Sequence, residues 1–263
     1  VYTCLKIDEV SNLGAARIRL RSLQASTAER AAAPPRPAGS HVQDRVVFTK
    51  KMRGEHTLLM PQMAPIHFAL IEAAASRSGY QIRLLPKVRP EAVELGLRYV
   101  NNDACYPALL VIGQLLDALR SGEFDPNNTS VLITQTGGMC RATNYVGLLR
   151  KGLADAGFGH VPIVALSTQG IETNPGFRYT PALINRIIQA VLLGDLLQTV
   201  LLRVRPYEVK PGSADALYQR WETAIREFFT CDGYSPSLQR RLTYRKIARQ
   251  VVADFVALPR RPG

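Results

Sequence analysis

"SVLITQTGGMCRATNYVGLLRKGLADAGF", residues 130 to 158, decides the fold. Its opening "SVLITQT" is short, apolar and β-branched, which predicts a buried strand. Gly137 and Gly138 then let the backbone turn tightly. From Cys140 onward apolar residues return at helical spacing, and Gly157 ends that helix. "VPIVALST", from 161, reads as the next strand. Strand, turn, helix and strand in this order predict a βαβ unit.

The same alternation extends upstream. "HTLLMPQM" precedes a helix over "APIHFALIEAAASRSGY", "QIRLLP" precedes one over "PEAVELGLRYVNN", and "ACYPALLVIGQLLDALRSG" is a further long helix. The expected fold is α/β: a Rossmann-like, mostly parallel sheet flanked by helices. After Pro181 the pattern becomes helical, through "ADALYQRWETAIREFFT" and "SLQRRLTYRKIARQVVADFVAL", which predicts a helical C-terminal region.

Ahead of the sheet, "AARIRLRSLQASTAER" reads as a helix and "AAAPPRPAGSH" as an Ala/Pro-rich linker that cannot hold one. The expected division is therefore residues 1–30 as a segment left from a preceding domain, 31–41 as linker, 42–180 as the α/β domain and 181–263 as the helical region. The first residue, Val1, and the terminal "ALPRRPG" raise the expectation that this is part of a longer chain.

The formal net charge is +12 over 263 residues. Such a balance suits nucleic acid, membrane phosphates or an anionic ligand. The basic residues are, however, spread over helices such as "QRRLTYRKIARQ", with neither an aromatic RNA-binding signature nor zinc-finger spacing, which argues against nucleic acid as partner. "ALINRIIQAVLLGDLLQTVLLRV" is interrupted by Asn185, Arg186, Gln189 and Asp195, so no membrane span is expected. Four cysteines at irregular spacing, with no secretory signal, imply a cytoplasmic protein whose thiols are reduced or metal-bound.

Two of those cysteines share a setting. Cys140 falls at the first turn of a helix after the glycine turn, where free N–H groups and the neighbouring Arg141 favour thiolate. Cys105 follows "NNDA" and precedes Pro107, again a helix start after a polar loop, with Asn102 or Asp103 as candidate caps. In open α/β sheets ligands bind beyond the carboxyl ends of the strands, so both thiols are candidates for a common site. Each remains open to being a small core residue, a nucleophile or a metal ligand. His41, His56, His67 and His160 pair visibly with neither, which weakens nucleophilic catalysis, and the absence of CxxC weakens zinc. An iron–sulfur cluster best tolerates thiols dispersed over separate loops. Cys231, near a helix end, is a possible third member, whereas Cys4 reads as a buried strand residue.

These segments resemble the iron–sulfur components of 2-hydroxyacyl-CoA dehydratases and benzoyl-CoA reductases, in particular the long activase-related proteins. The resemblance is carried by "LKIDEVSNLGAARIRLRSL" from residue 5, "LLMPQMAPIHFAL" from 58, "YVNNDACYPALLVIGQLLDAL" from 99, "ITQTGGMCRATNYVGLLRKGLADAGF" from 133, "NPGF" from 174 and "GDLLQTVLLRVRPYE" from 194. It implies that Cys105 and Cys140 ligate a 4Fe–4S cluster. Around them Thr136, Gly137, Gly138 and Arg141 are candidates to face the cofactor, donating N–H or guanidinium hydrogen bonds to sulfide, the alternative being that the glycines only make the turn and Arg141 only meets solvent. The resemblance further implies an ATP-dependent activase as partner, supplying one low-potential electron that reduces an acyl-CoA thioester to a ketyl radical. A dimer or a longer chain is also implied. The family's later cysteine motif is missing after "ALPRRP", so the third ligand is expected to be Cys231 or a residue outside this chain. No GxxxxGK[ST] loop occurs, which assigns ATP to another domain or protein. A non-catalytic electron-transfer or scaffold module that docks an activase is the alternative, and a basic binding module with core cysteines a third.

Overall fold

Continuous apolar runs become the strands of a parallel sheet because they can be buried on both faces. The computed structural model describes residues 13–32, 45–101, 104–138, 140–167, 172–231 and 238–261. The strands are β1 (Thr57–Met60), β2 (Gln81–Leu84), β3 (Thr129–Thr134) and β4 (Ile163–Leu166). Every pairing is parallel and the spatial order is β2-β1-β3-β4. Strand order therefore reverses between β1 and β3, which share the register Leu59 opposite Val131. The α/β, Rossmann-like architecture expected from the alternating pattern is the one observed.

The helices are α1 (Leu13–Ala32), α2 (Met52–Glu55), α3 (Pro65–Ala75), α4 (Pro90–Tyr99), α5 (Tyr106–Arg120), α6 (Tyr145–Asp155), α7 (Pro181–Val204), α8 (Ser213–Thr230) and α9 (Leu238–Ala257). The chain divides into two units, 1–43 and 44–263. In the first, α1 is the described part, as "AARIRLRSLQASTAER" predicts; it runs two residues into the expected linker, through Ala32, because the alanines before the prolines favour helix, and the rest of the linker lies outside the described residues.

Alternation along β3 assigns the faces of the sheet. Val131 and Ile133 point with Leu59, Ile163 and Ala165 toward α5 and α6, forming one core. Leu132 points with Leu58, Met60 and Val164 to the opposite face, where Phe48 and Tyr80 meet it and Phe177 packs alongside. Phe177 belongs to "TNPGF", which acts as a strap: Asn174 Oδ1 accepts from Phe48 N at 3.2 Å, and Phe177 stacks on Tyr80 at 4.8 Å. These contacts give the segment a packing role on the sheet face.

The C-terminal helices do not stand apart from the sheet domain. Leu70, Ala73 and Ala74 of α3 share one core with Leu193, Leu197 and Leu201 of α7, Ile225 and Phe229 of α8, and Val251 and Phe255 of α9. The expected boundary at residue 180 thus falls inside one packed unit. With its 3-10 extension to Tyr207, α7 is long and apolar enough to cross a membrane by length and composition, despite its four polar interruptions. Its inner side is nonetheless core, and Arg186 is only 5% exposed.

Gln114, buried in α5, ties the carboxyl ends of two strands together. Its Oε1 accepts from Gln62 N at 2.8 Å, just past β1, and its Nε2 donates to Pro86 O at 2.6 Å, just past β2. Gln114→Leu keeps similar bulk but strands both backbone groups; the expected loss is about 1–3 kcal/mol in urea unfolding.

Glu208 closes the start of α8, accepting from Ala214 N at 2.7 Å, Gly212 N at 2.6 Å and Ser213 Oγ at 3.1 Å. The Ala214 and Gly212 amides hold its carboxyl below the ordinary value. Because the folded-state pKa is depressed, the associated stability is complete above the unfolded pKa and fades as pH falls through the folded one. Glu208→Gln is expected to flatten this acid limb in thermal melts taken across the acidic range.

Candidate functional site

The turn after β3 is built as the glycines predict, with one division of labour. Gly137 has φ +68°, a conformation that side chains disfavour, whereas a Cβ on Gly138 would meet only open space. Thr143 braces the loop: its Oγ1 donates to Gly138 O at 2.8 Å, and its carbonyl accepts from Gln135 Nε2 at 2.9 Å. Gln135 therefore serves the loop's own architecture.

Cys140 is the N-cap of a 3-10 turn, Arg141–Asn144, that leads into α6, and its Sγ accepts from Ala142 N at 3.5 Å. The helix predicted from Cys140 onward thus opens with one tighter turn. Arg141 begins that turn; its side chain lies outside the described residues. Cys105 is the N-cap of α5, with Pro107 in the first turn. The expected caps, Asn102 and Asp103, lie outside the described residues, and Cys105 itself holds the cap position. The two caps have nearly identical backbones: φ −68°, ψ 145° at Cys105 and φ −69°, ψ 143° at Cys140.

Tyr145, the first residue of α6, joins the two starts. Its hydroxyl lies 3.0 Å from Cys105 Sγ. Burial first, then the hydrogen bond to Cys105 and the negative charges of Cys105 and Cys140, hold its phenol well above the ordinary value. Cys105 is half-buried and Cys140 exposed, and neither is disulfide-bonded. Beside Cys105 lies a cleft of about 300 Å³ lined by Asn101, Ala104, Cys105, Ala108, Asn144, Tyr145 and Leu148. Because Cys140 follows the carboxyl end of β3 and Cys105 reaches the first residue of α6, both thiols belong to the carboxyl side of the sheet, next to the strand-order reversal.

Cys231 is elsewhere. It caps the C-terminus of α8, and the preceding Thr230 O accepts from Arg77 Nη1 at 3.0 Å. Arg77 lies between the end of α3 and the start of β2, so Cys231 sits by the amino edge of the sheet, opposite the other two thiols. Cys4 lies outside the described residues. Among the described residues no third Cys, His, Asp or Glu gathers with the pair.

Sequence reasoning passed over Tyr145 and the cleft's apolar members. Within the helical run after Cys140, Tyr145 carries no local mark of its role, and only the approach of α5 to α6 reveals its hydroxyl as a thiol partner. Asn144 lines the cleft as well.

Fold and site together define a Rossmann-like α/β protein with two cysteines at helix starts on the carboxyl side of its sheet, one of them in contact with a buried phenol. No family model, curated protein or solved structure matches the chain.

Proposed function

We propose that Cys105 and Cys140 ligate an iron–sulfur cluster of the 4Fe–4S kind, in a protein related to the 2-hydroxyacyl-CoA dehydratases and benzoyl-CoA reductases. The observation that carries this reading is the placing of two thiols at N-cap positions of matching backbone conformation, with Cys105 held against Tyr145 at the start of the helix that Cys140 leads into. The donor set fits: thiolates are the ligands such clusters take, and each emerges from a helix start whose free amides favour negative charge. The remaining corners are left to ligands outside the described residues.

When bound, the cluster supplies single electrons at low potential. The chain's own residues supply the setting. Gly137 turns the loop that presents Cys140, and Gly138 leaves room beside it. Asn101 and Asn144 offer amide hydrogen bonds at the cleft, while Ala104, Ala108 and Leu148 limit water. Gly137, Gly138 and Arg141 are the proposed cofactor-side residues. An ATP-dependent activase is the proposed electron donor and an acyl-CoA thioester the proposed acceptor, in a cytoplasmic setting.

Anaerobic isolation followed by iron and sulfide reconstitution tests the reading. A brown protein with stoichiometric iron and acid-labile sulfide, and an electron paramagnetic resonance signal on reduction, is expected. A colourless chain that takes up no iron after reconstitution overturns it.

A further inference from the structure

The Cys105–Tyr145 contact goes one step beyond the cluster itself, and the step rests on the iron–sulfur reading above. We infer that Tyr145 is a positioning residue that donates its O–H to the ligating sulfur of Cys105 and thereby raises the reduction potential of the bound cluster.

The geometry leaves the phenol this role. A thiolate bound to iron has no proton to give, so the 3.0 Å contact between Tyr145 Oη and Cys105 Sγ can be made only with the phenol donating. The ring is held in place: Tyr145 is 4% exposed and belongs to the same core as Ile112, Leu149 and Val146. Its backbone is anchored too, because Tyr145 N donates to Ala142 O as the 3-10 turn passes into α6. The hydroxyl therefore reaches Cys105 from a rigid element, and little freedom remains to be lost when the bond forms.

The direction of the effect follows from charge. A hydrogen bond to a ligating sulfur withdraws electron density and stabilises the reduced, more negative cluster, so potential rises with each donor. The half-buried position of Cys105 makes this donor count for more than a solvent one.

Tyr145, as the first residue of α6, also brings the start of that helix against the start of α5. The alternative for a phenol in contact with a ligating sulfur is to ligate the metal itself, and the two roles predict different outcomes for removal of the oxygen.

The experiment uses the full chain, reconstituted with iron and sulfide under anaerobic conditions, as wild type and as Tyr145→Phe. Phenylalanine keeps the buried ring, and far-UV circular dichroism of the metal-free chains checks that folding is preserved. The expected result is equal iron content, a midpoint potential shifted to lower values in Tyr145→Phe, and loss of one exchangeable-proton coupling from the electron–nuclear double resonance spectrum. Unchanged potential and coupling at equal iron overturn the donor role while leaving the cluster reading intact. Loss of iron from a folded Tyr145→Phe chain overturns it in favour of ligation. Absence of iron from the wild type removes the reading on which the inference stands.

Discussion

Cys140→Ser, purified and reconstituted without oxygen, is expected to lose most of its iron and sulfide, and Cys105→Ser to do the same. Serine preserves size and capping capacity, so the helix starts survive; the soft thiolate is what disappears. At Cys140 the hydroxyl can still accept from Ala142 N, the bond now made by sulfur at 3.5 Å. At Cys105 it can still meet the Tyr145 hydroxyl. A fall in iron is therefore attributable to ligation rather than to a broken fold, which circular dichroism on the same samples verifies. Cys231→Ser is the internal control. From its position past the end of α8, by the amino edge of the sheet, it is expected to retain wild-type iron. Equal iron in all three variants would leave the thiol pair without a metal role.

Gly113→Ala is expected to cost about 3 kcal/mol or more of stability, opposite in sign to the gain of about 0.5–1 kcal/mol usual for this change within a helix. The reason is the crossing of α4 and α5. A Cβ on Gly113 would stand 1.9 Å from Ala92 O and 2.8 Å from Gly96 N, both backbone atoms that no rotamer change can move. The complementary Gly96 would place its Cβ 2.2 Å from Leu109 O. Relief requires the two helices to separate, which opens the core around Ile112, Leu115 and Leu116, all fully buried. That penalty is a large share of a typical domain's total stability. Gly147→Ala on α6 meets nothing within 4 Å and is expected to show the ordinary small gain. Urea unfolding of the two variants side by side reads the contrast. The same crossing determines where α5 begins relative to α6, so Gly113→Ala is also expected to disturb the Cys105–Tyr145 contact.

Much of this was legible in the residues. The β-branched run 130–134 and the helix ended by Gly157, with φ +89°, could be read because local pattern and tertiary burial agree there. The helix-start positions of both cysteines were legible for the same reason: a polar loop, a proline or glycine turn, then helical periodicity. The caps themselves were not, because a cysteine at the N-cap carries weak propensity and the choice between Cys105 and its polar neighbours depends on where α5 docks. The polar residues of α7 were read as excluding a membrane helix, yet length and composition admit one; what the sequence did not show is that one side of it packs on α3, α8 and α9. Cys231 looked eligible as a third ligand since sequence distance carries no information about which edge of a sheet a helix ends on.

By itself the sequence determined the secondary-structure order, the parallel sheet it implies, the glycine turn and the placement of two thiols at helix starts, all consequences of side-chain periodicity and backbone freedom within a few residues. Only the tertiary structure decided the strand order, the removal of Cys231 to the far edge, the packing of the C-terminal helices onto α3, and the meeting of Tyr145 with Cys105. Those depend on which surfaces bury one another across long stretches of chain, and burial of that kind leaves no local signature.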